Sequence, residues 1–428
     1  MNQTMLIDNK PTILDTTLRD GSYVVNFQFT AQDTQTLSRA LAHSGVRLIE
    51  IGHGLGINAS ETMGQAAATD IEYIEAARAG APDAMIGMFC IPGIAKLDHL
   101  RACADAGMHF VRIGANVNQT EDTRAFIELG RSLGLYVCTN FMKSYALAPK
   151  EFGDVAAMSA DFGSQMLYLV DSAGGMMPRD VKTYTEAILE RADLPIGFHG
   201  HNNLHLAVAN SLAAVEAGAQ VVDTTLLGLG RSSGNAATEI IVPLLQKEFD
   251  SCHDMDALLL LEMAEKLISP LAKHRWEDTE KTALGLSQVH SMYANRIRKA
   301  ANTSGRSFIS IAKEVGIRDR LNLSDEILHE AVEAARSNTH LENTLGNMSL
   351  VVPLDGELDI ERLARAHWMS GMLIYVGVKP DQPLRATYGE GVIFAACDEA
   401  NFERLQQALP DVVLRDTSAL AHLSLDGQ

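Results

Sequence analysis

Phe198-His199-Gly200-His201-Asn202-Asn203 closes an apolar run that begins at Ile196. Alternate side chains of an extended chain share a side, so His199 and His201 point the same way. Two imidazoles on one side of a strand end, joined by a carboxylate from elsewhere, make a divalent-metal site with positions left open for substrate. The competing reading is a pair of histidines bonded to backbone carbonyls. Burying both rings at such a place without a partner is costly, which favours the metal. Leu18-Arg19-Asp20-Gly21 offers the third ligand, Asp20, if the two strand ends meet in space.

The rest of the chain explains how they meet. From residue 12 to about 248 a short apolar or β-branched run, a polar loop and an amphipathic segment recur. The strand candidates are Ile13–Leu18, Leu48–Gly52, Met85–Cys90, Phe110–Ile113, Tyr136–Asn140, Met166–Val170, Ile196–His199 and Val221–Thr225. The segments between them carry helix signals. Thr30 suits an N-cap and Gly45 a stop, with Leu37, Ala40 and Leu41 on one face. Pro149 suits a first turn, ahead of Val155, Met158 and Phe162. Eight such units predict a (β/α)8 TIM barrel. A doubly wound sheet is the alternative, but no G-x-G-x-x-G follows the first strand.

A barrel places chemistry at the C-terminal ends of its strands. Arg19, Asp20, His53, Asn140, Asp171, Ser172, His199 and His201 all fall there. The expected domains are the barrel over 10–250, a helical domain over 254–348 and a small α+β appendage over 349–428. Periodicity puts helices through Leu258–Leu267 and Arg296–Val315. In the appendage, Met372–Val378 and Val392–Ala396 read as strands and Asn401–Leu409 as a helix. The appendage suits a dimerisation element, a ligand-sensing module or a lid.

Composition narrows the function. The 35 basic against 54 acidic residues leave a net charge of −19. That argues against nucleic acid and against an anionic membrane surface, though not against an anionic substrate in a cleft with its own Arg and metal. Five scattered cysteines without a C-x-x-C suit a reduced, cytoplasmic compartment. The N-terminal stretch lacks the apolar core of a signal peptide, and no run is long enough to span a membrane.

Two site features carry alternatives. Arg19 is either an ion-pair partner of Asp20 or the cation facing a substrate oxyanion. Adjacent strand-end residues diverge, which favours the second. The loop Gly228-Leu229-Gly230-Arg231-Ser232-Ser233-Gly234-Asn235 could bind phosphate, as loops after the last barrel strands often do. It lacks the G-K-[ST] of a P-loop, so a tight turn that brings backbone close to the metal is preferred.

Three motifs then resemble a known family: L-D-T-T-L-R-D-G at 14–21, H-G-H-N-N-x-x-x-A-V-A-N-S at 199–211 and G-x-G-R-x-x-G-N-A-A-T-E at 228–239. Together they resemble the metal-dependent aldolase/synthase superfamily of TIM barrels. G-H-G-L-G-I-N-A-S at 52–60, T-D-I-E-Y-I at 69–74, V-D-S-A-G-G-M at 170–176 and L-G-L-S-Q-V-H-S-M-Y from 284 resemble its 4-hydroxy-2-oxovalerate aldolase branch. The resemblance covers about residues 10–335. It implies Asp20, His199 and His201 as ligands of Mn²⁺, with Mg²⁺ or Co²⁺ possible. It implies Arg19 against a pyruvate enolate, Ser172 near the keto acid and Asn235 near the metal; His53, after the second strand, is expected to bind substrate as well. The implied reaction is retro-aldol cleavage of a 4-hydroxy-2-oxo acid to pyruvate and an aldehyde. The alternative is a Claisen-type condensation of an acyl-CoA with a 2-keto acid. An acylating aldehyde dehydrogenase docked on the helical region and a homo-oligomer are the implied partners.

The chain departs from the aldolase pattern at two places. The family has D-G-x-H, with that His as base; here Tyr23 stands in Asp20-Gly21-Ser22-Tyr23. The family has a Tyr in a G-V-Y-S-like run; here His290 stands in Gln288-Val289-His290-Ser291. A Tyr with a pKa near ~10 is a poor base at neutral pH, whereas a His near ~6.5 is well placed. The expectation is that His290 supplies or shares the base role and Tyr23 positions substrate. The alternative is that both shape a different pocket.

Overall fold

The computed structural model describes residues 10–271, 279–337, 360, 363, 373–389, 392–410 and 412–420. Eight parallel strands close into a barrel: β1 (Thr12–Asp15), β2 (Leu48–Ile51), β3 (Met85–Cys90), β4 (Phe110–Asn116), β5 (Tyr136–Met142), β6 (Met166–Asp171), β7 (Ile196–Gly200) and β8 (Val221–Thr224). Closure comes from β1 pairing with β8 in the register Thr12 to Val221 through Asp15 to Thr224. Eight helices surround it: α1 (Ala31–His43), α2 (Asp70–Gly80), α3 (Leu97–Asp105), α4 (Arg124–Ser132), α5 (Pro149–Asp161), α6 (Pro178–Leu189), α7 (Ala207–Glu216) and α8 (Thr238–Phe249).

The helix signals work as read. The Thr30 hydroxyl accepts the Asp33 amide and Asp33 answers at the Thr30 amide, closing a capping box on α1. Pro149 opens α5. The first strand is shorter than expected. The Thr16 carbonyl accepts the amides of Arg19, Asp20 and Gly21, so the chain turns after Asp15 and carries Arg19 and Asp20 over the barrel mouth.

Strand alternation sorts the side chains into two sets. Ile13, Ile49, Ile86, Val111 and Leu167 pack with the helix stripes in the larger core. Leu14, Leu48, Phe110, Met166, Tyr168 and Val221 form a separate cluster on the other face of the strands. Glu50, Arg112 and Asp223 sit two residues beyond Leu48, Phe110 and Val221, so they share that inner face one layer nearer the mouth. Gly197 admits the Tyr168 ring here: a Cβ would lie 2.3 Å from Cε1 of that ring.

The barrel and the helices up to Asn338 form one compact unit, and residues from Thr339 form a second. In the first unit α9 (Ala257–Met263) runs into a π-helical turn, Ala264–Ile268, whose Ala264 and Ile268 join the barrel core. Then follow α10 (Thr279–Leu286), α11 (Ala294–Ser304), α12 (Phe308–Arg318) and α13 (Asp325–Ala334), around Leu284, Val289, Ile297, Phe308, Ile311 and Val315. The helical periodicity through 296–315 is carried by two helices: Gly305 takes φ +66° and Ser307 caps α12.

The second unit holds a mixed sheet, in the order β10 (Arg385–Gly389), β11 (Val392–Cys397), β9 (Leu373–Val378), β12 (Val413–Arg415), with a helix at Glu399–Ala408. β9 and β11 match the two expected strands, while β10 and β12 are additional; Met372 lies outside the described residues. Among the described residues no helix is long and apolar enough to cross a membrane. All five cysteines are free and buried.

Candidate active site

Asp20, His199 and His201 meet at the barrel mouth. One potential ligand atom from each lies within 4.8 Å of the others, and all three residues are buried. The two rings stand nearly perpendicular, with centroids 5.0 Å apart. Each imidazole is oriented from behind. His199 Nδ1 is 2.8 Å from Asp223 Oδ2, and His201 Nδ1 is 3.2 Å from the Gly234 carbonyl oxygen. Both partners are acceptors, so each Nδ1 carries the proton and each Nε2 keeps its lone pair. That donor chemistry, two neutral imidazoles and one carboxylate, fits a divalent ion. Burial pushes the Asp20 carboxyl up, but the Arg19 guanidinium above all, with Arg231 beyond it, outweighs this and holds it well below the usual carboxylate range. Burial, with Arg231 next to it, holds the His201 pKa well below its ordinary value, so the ring stays neutral.

The glycine-rich loop closes on this set. Asn235 Nδ2 donates to Asp20 Oδ2 at 2.5 Å, and the Gly234 carbonyl takes both His201 and the Asn202 amide. A Cβ on Gly230 would sit 2.2 Å from Asn235 Nδ2 and 2.6 Å from Asp20 Oδ2. The preferred reading of the loop, a turn that approaches the ligands, describes this contact.

Arg19 and Asp20 do not diverge as expected. The turn after β1 brings Arg19 Nη1 to 2.8 Å from Asp20 Oδ1, while Arg19 Nε donates to Glu50 Oε2 at 2.6 Å. The ion-pair reading of Arg19 is therefore present in the structure. No protein acceptor meets its Nη2 among the described residues, which leaves one guanidinium edge for a ligand.

Behind these residues lies a buried chain of charges that the sequence reading missed. Arg112 donates to both Glu50 oxygens, at 2.7 and 2.6 Å, and to Asp223 Oδ2 at 2.5 Å. Its guanidinium stacks over Tyr168, 4.6 Å from the ring centroid. Burial raises the Glu50 pKa, but Arg112 and Arg19 pull it down to about 2. The chain runs Asp20–Arg19–Glu50–Arg112–Asp223–His199, from one candidate ligand to another. Its sequence signal is a lone charge inside each of three apolar strands, in Leu-Ile-Glu-Ile, Phe-Val-Arg-Ile and Val-Val-Asp-Thr.

His53 faces its own loop. Its Nε2 lies 3.0 Å from the Gly64 carbonyl and its Nδ1 accepts the Leu55 amide at 3.1 Å, with Phe27 stacked on the ring at 3.8 Å. Both nitrogens contact the backbone, so the ring clasps the loop at 52–64. Ser172 is buried, and its Oγ accepts the Lys143 amide at 2.9 Å. Its hydroxyl proton remains available to donate.

Tyr23 and His290 both feel the charge of Arg231, and His290 touches it. Burial pushes the Tyr23 hydroxyl up to about 12, so it is a proton donor at neutral pH. His290 caps a short turn, its Nδ1 accepting the Met292 amide at 3.1 Å. Arg231 Nη1 lies 2.7 Å from His290 Nε2, 3.1 Å from its Nδ1 and 3.0 Å from Ser291 Oγ. Nη2 of the same group donates to His201 Nε2 at 2.9 Å. Arg231 thus bridges a candidate ligand and the candidate base. Burial, then Arg231, Lys143 and His201, hold the His290 pKa well below its ordinary value. Arg231 itself was read only as part of a loop.

Comparison with known proteins follows the same line. Residues 10–265, more than half of the chain, match the model of the HMGL-like family. The chain is 35% identical over 334 residues to 4-hydroxy-2-oxovalerate aldolase 2 of Rhodococcus opacus (strain B4), covering 77% of this chain and 96% of that protein. It is 34% identical over 306 residues to the oxaloacetate decarboxylase of Mycobacterium tuberculosis (strain ATCC 25618 / H37Rv), covering 71% and 90%. Among solved structures it is similar to the carboxyl transferase domain of Rhizobium etli pyruvate carboxylase, with a TM-score of 0.63 and 17% identity over 76% of this chain and 60% of that one. That last likeness shows the fold alone.

Proposed function

The chain belongs to the HMGL-like family, and from that premise we propose that it is a divalent-metal-dependent lyase that cleaves a 4-hydroxy-2-oxo acid to pyruvate and an aldehyde. The observation that carries this reading is the convergence of Asp20, His199 and His201 beside the free edge of Arg19. When bound there, a divalent ion such as Mn²⁺ supplies Lewis acidity to the carboxylate and keto oxygens of a 2-keto acid.

The protein groups do the rest. Asp223 and Gly234 hold the two imidazoles in the ligating tautomer. Arg19, fixed by Glu50 and Asp20, turns Nη2 toward the oxygen on which negative charge develops. Ser172 donates to the keto acid. His290 takes the proton of the C4 hydroxyl as the C3–C4 bond breaks, and Tyr23 donates a hydrogen bond to the oxygen that becomes the aldehyde. Loss of carbon dioxide from oxaloacetate leaves the same pyruvate enolate, and the decarboxylase relative supports it as a second reading. In both readings the bond that breaks is next to C3. In the aldol reading, the aldehyde passes to an acylating dehydrogenase docked on the helical region.

The test follows pyruvate release from 4-hydroxy-2-oxo acids with Mn²⁺, Mg²⁺ or Co²⁺, for wild type and Asp20→Ala. Metal-dependent release that the variant loses supports the proposal. Free thiol from acetyl-CoA and a 2-keto acid, without pyruvate release, would replace it with the Claisen reaction.

A further inference from the structure

Two cations near His290 have no carboxylate in direct contact. Among the described residues, neither Arg231 nor Lys143 has a carboxylate oxygen within ion-pair distance, whereas Arg19 and Arg112 do. Lys143 is 2% exposed, and a lysine so buried is ordinarily paired. Its Nζ donates to the Leu321 carbonyl at 2.6 Å and to the Tyr293 hydroxyl at 3.3 Å, both neutral. It stands in the left-handed region, φ +62°, immediately after β5, where the turn brings its backbone amide to Ser172. The contacts of Arg231 are two imidazoles and a serine hydroxyl, all neutral and all weak substitutes for an anion.

The lone pairs on these imidazoles have other uses. His201 has one lone pair, on Nε2, because Nδ1 donates to Gly234. Arg231 and a metal ion compete for it. A neutral His290 likewise has one lone pair, which Nδ1 gives to the Met292 amide, so its Nε2–H meets the Arg231 guanidinium donor to donor. An acceptor that draws the guanidinium away would release the His201 lone pair and relieve the opposed donors at His290.

We propose that the site takes 2-oxo acids bearing a second carboxylate, which Arg231 and Lys143 hold at the end of the substrate remote from the 2-keto acid group. A planar guanidinium with both Nη groups turned inward matches a carboxylate. In a 4-hydroxy-2-oxo diacid that carboxylate is attached to C4, the carbon whose hydroxyl loses its proton to His290. For 4-hydroxy-2-oxoglutarate the C3–C4 bond breaks and its electron pair passes into the pyruvate enolate. The hydroxyl proton goes to His290 and then to C3, giving pyruvate and glyoxylate with no other reactant. Arg231 is thereby a specificity determinant as well as a guard over ligand and base. This inference rests on the aldolase reading.

The experiment has two arms. Turnover compares 4-hydroxy-2-oxoglutarate with 4-hydroxy-2-oxovalerate, whose tail is a methyl group, on wild type and Arg231→Gln. The expected kcat/KM preference for the diacid is at least about 100-fold in wild type, falling below about tenfold in the variant. Binding compares the uncleavable pair 2-oxoglutarate and 2-oxovalerate by calorimetry with Mn²⁺. The expected result is at least about tenfold tighter binding of the diacid, lost in Arg231→Gln and reduced in Lys143→Met. Equal or better handling of the methyl-tailed acids by wild type overturns the inference, as does a diacid preference unchanged in Arg231→Gln. If neither acid is cleaved, the aldolase reading fails and the binding arm still decides the subsite. Stronger displacement of bound 2-oxoglutarate by inorganic phosphate than by glutarate would overturn the carboxylate assignment.

Discussion

Asp223→Asn tests whether the buried charges or the three ligands alone set the metal centre. In the wild type Asp223 Oδ2 receives His199 at 2.8 Å and Arg112 at 2.5 Å, while Oδ1 is buried without a partner. An asparagine can present only one oxygen. If that oxygen keeps the Oδ2 position, its amide nitrogen takes the Oδ1 position and two donors go unmatched in a dry site. If it does not, the nitrogen faces Arg112 donor to donor and His199 must accept at Nδ1, which moves its proton to Nε2. Losing the support behind a ligating histidine costs about 10–100-fold in metal affinity, or about 1.4–2.7 kcal/mol. Arg112, fully buried, also loses one of its two counter-charges, and breaking a buried pair costs about 3–5 kcal/mol of stability. Mn²⁺ calorimetry reads the first quantity and urea unfolding of the metal-free protein reads the second. Glu50→Gln is the control, because it weakens the same charge chain without touching a histidine. We expect comparable destabilisation in both variants and the larger loss of metal affinity in Asp223→Asn. Mn²⁺ affinity within about threefold of wild type in Asp223→Asn, with a larger loss in Glu50→Gln, would refute the assignment of Asp223 as the group that sets the His199 tautomer.

Other outcomes follow from the same geometry. His290→Ala should lower kcat by about 10²–10⁴ and Tyr23→Phe by about tenfold; cleavage rates intact in both would remove the base and donor assignments. Gly230→Ala drives a methyl group into Asn235 and Asp20, so its Mn²⁺ affinity should fall about tenfold by calorimetry, with little change in the circular dichroism of the barrel. Burial and Arg231, opposed by Asp319, pull the Lys143 pKa down to about 8. Its ammonium is therefore present at pH 7 and lost as the pH rises through 8. The KM of a diacid substrate should climb above that pH while that of a methyl-tailed acid does not, and Lys143→Met should abolish the difference.

The pattern of the chain carries the barrel plainly because its strands are buried on both faces and its helices on one. Thr30, Pro149 and the H-x-H each announce a local geometry that the fold keeps. What stayed hidden depends on partners far away in sequence. Nothing near Arg112 shows that Glu50 and Asp223 will flank it, 62 and 111 residues away. Read alone, a charge in a strand looks like an edge or a solvated face. His53 is the opposite case. It sits after a strand, where barrels keep their chemistry, but its use is settled by Gly64 and Leu55 in its own loop. Arg19 turned toward Asp20 because the strand ends at Asp15 and a turn, not a pleat, sets its direction.

The charge chain also bears on how the barrel assembles. Its contacts join residues 31, 62, 111 and 24 positions apart, and Asn235 reaches Asp20 across 215. It is complete only when the last strand has closed on the first. A strand slipped by one residue would point Arg112 at the helices and strand Glu50 and Asp223 without a cation. Misregistered barrels are thereby penalised by several kcal/mol at the moment of closure. The residues that hold the metal site in shape act, before any metal arrives, as a proofreading step in folding.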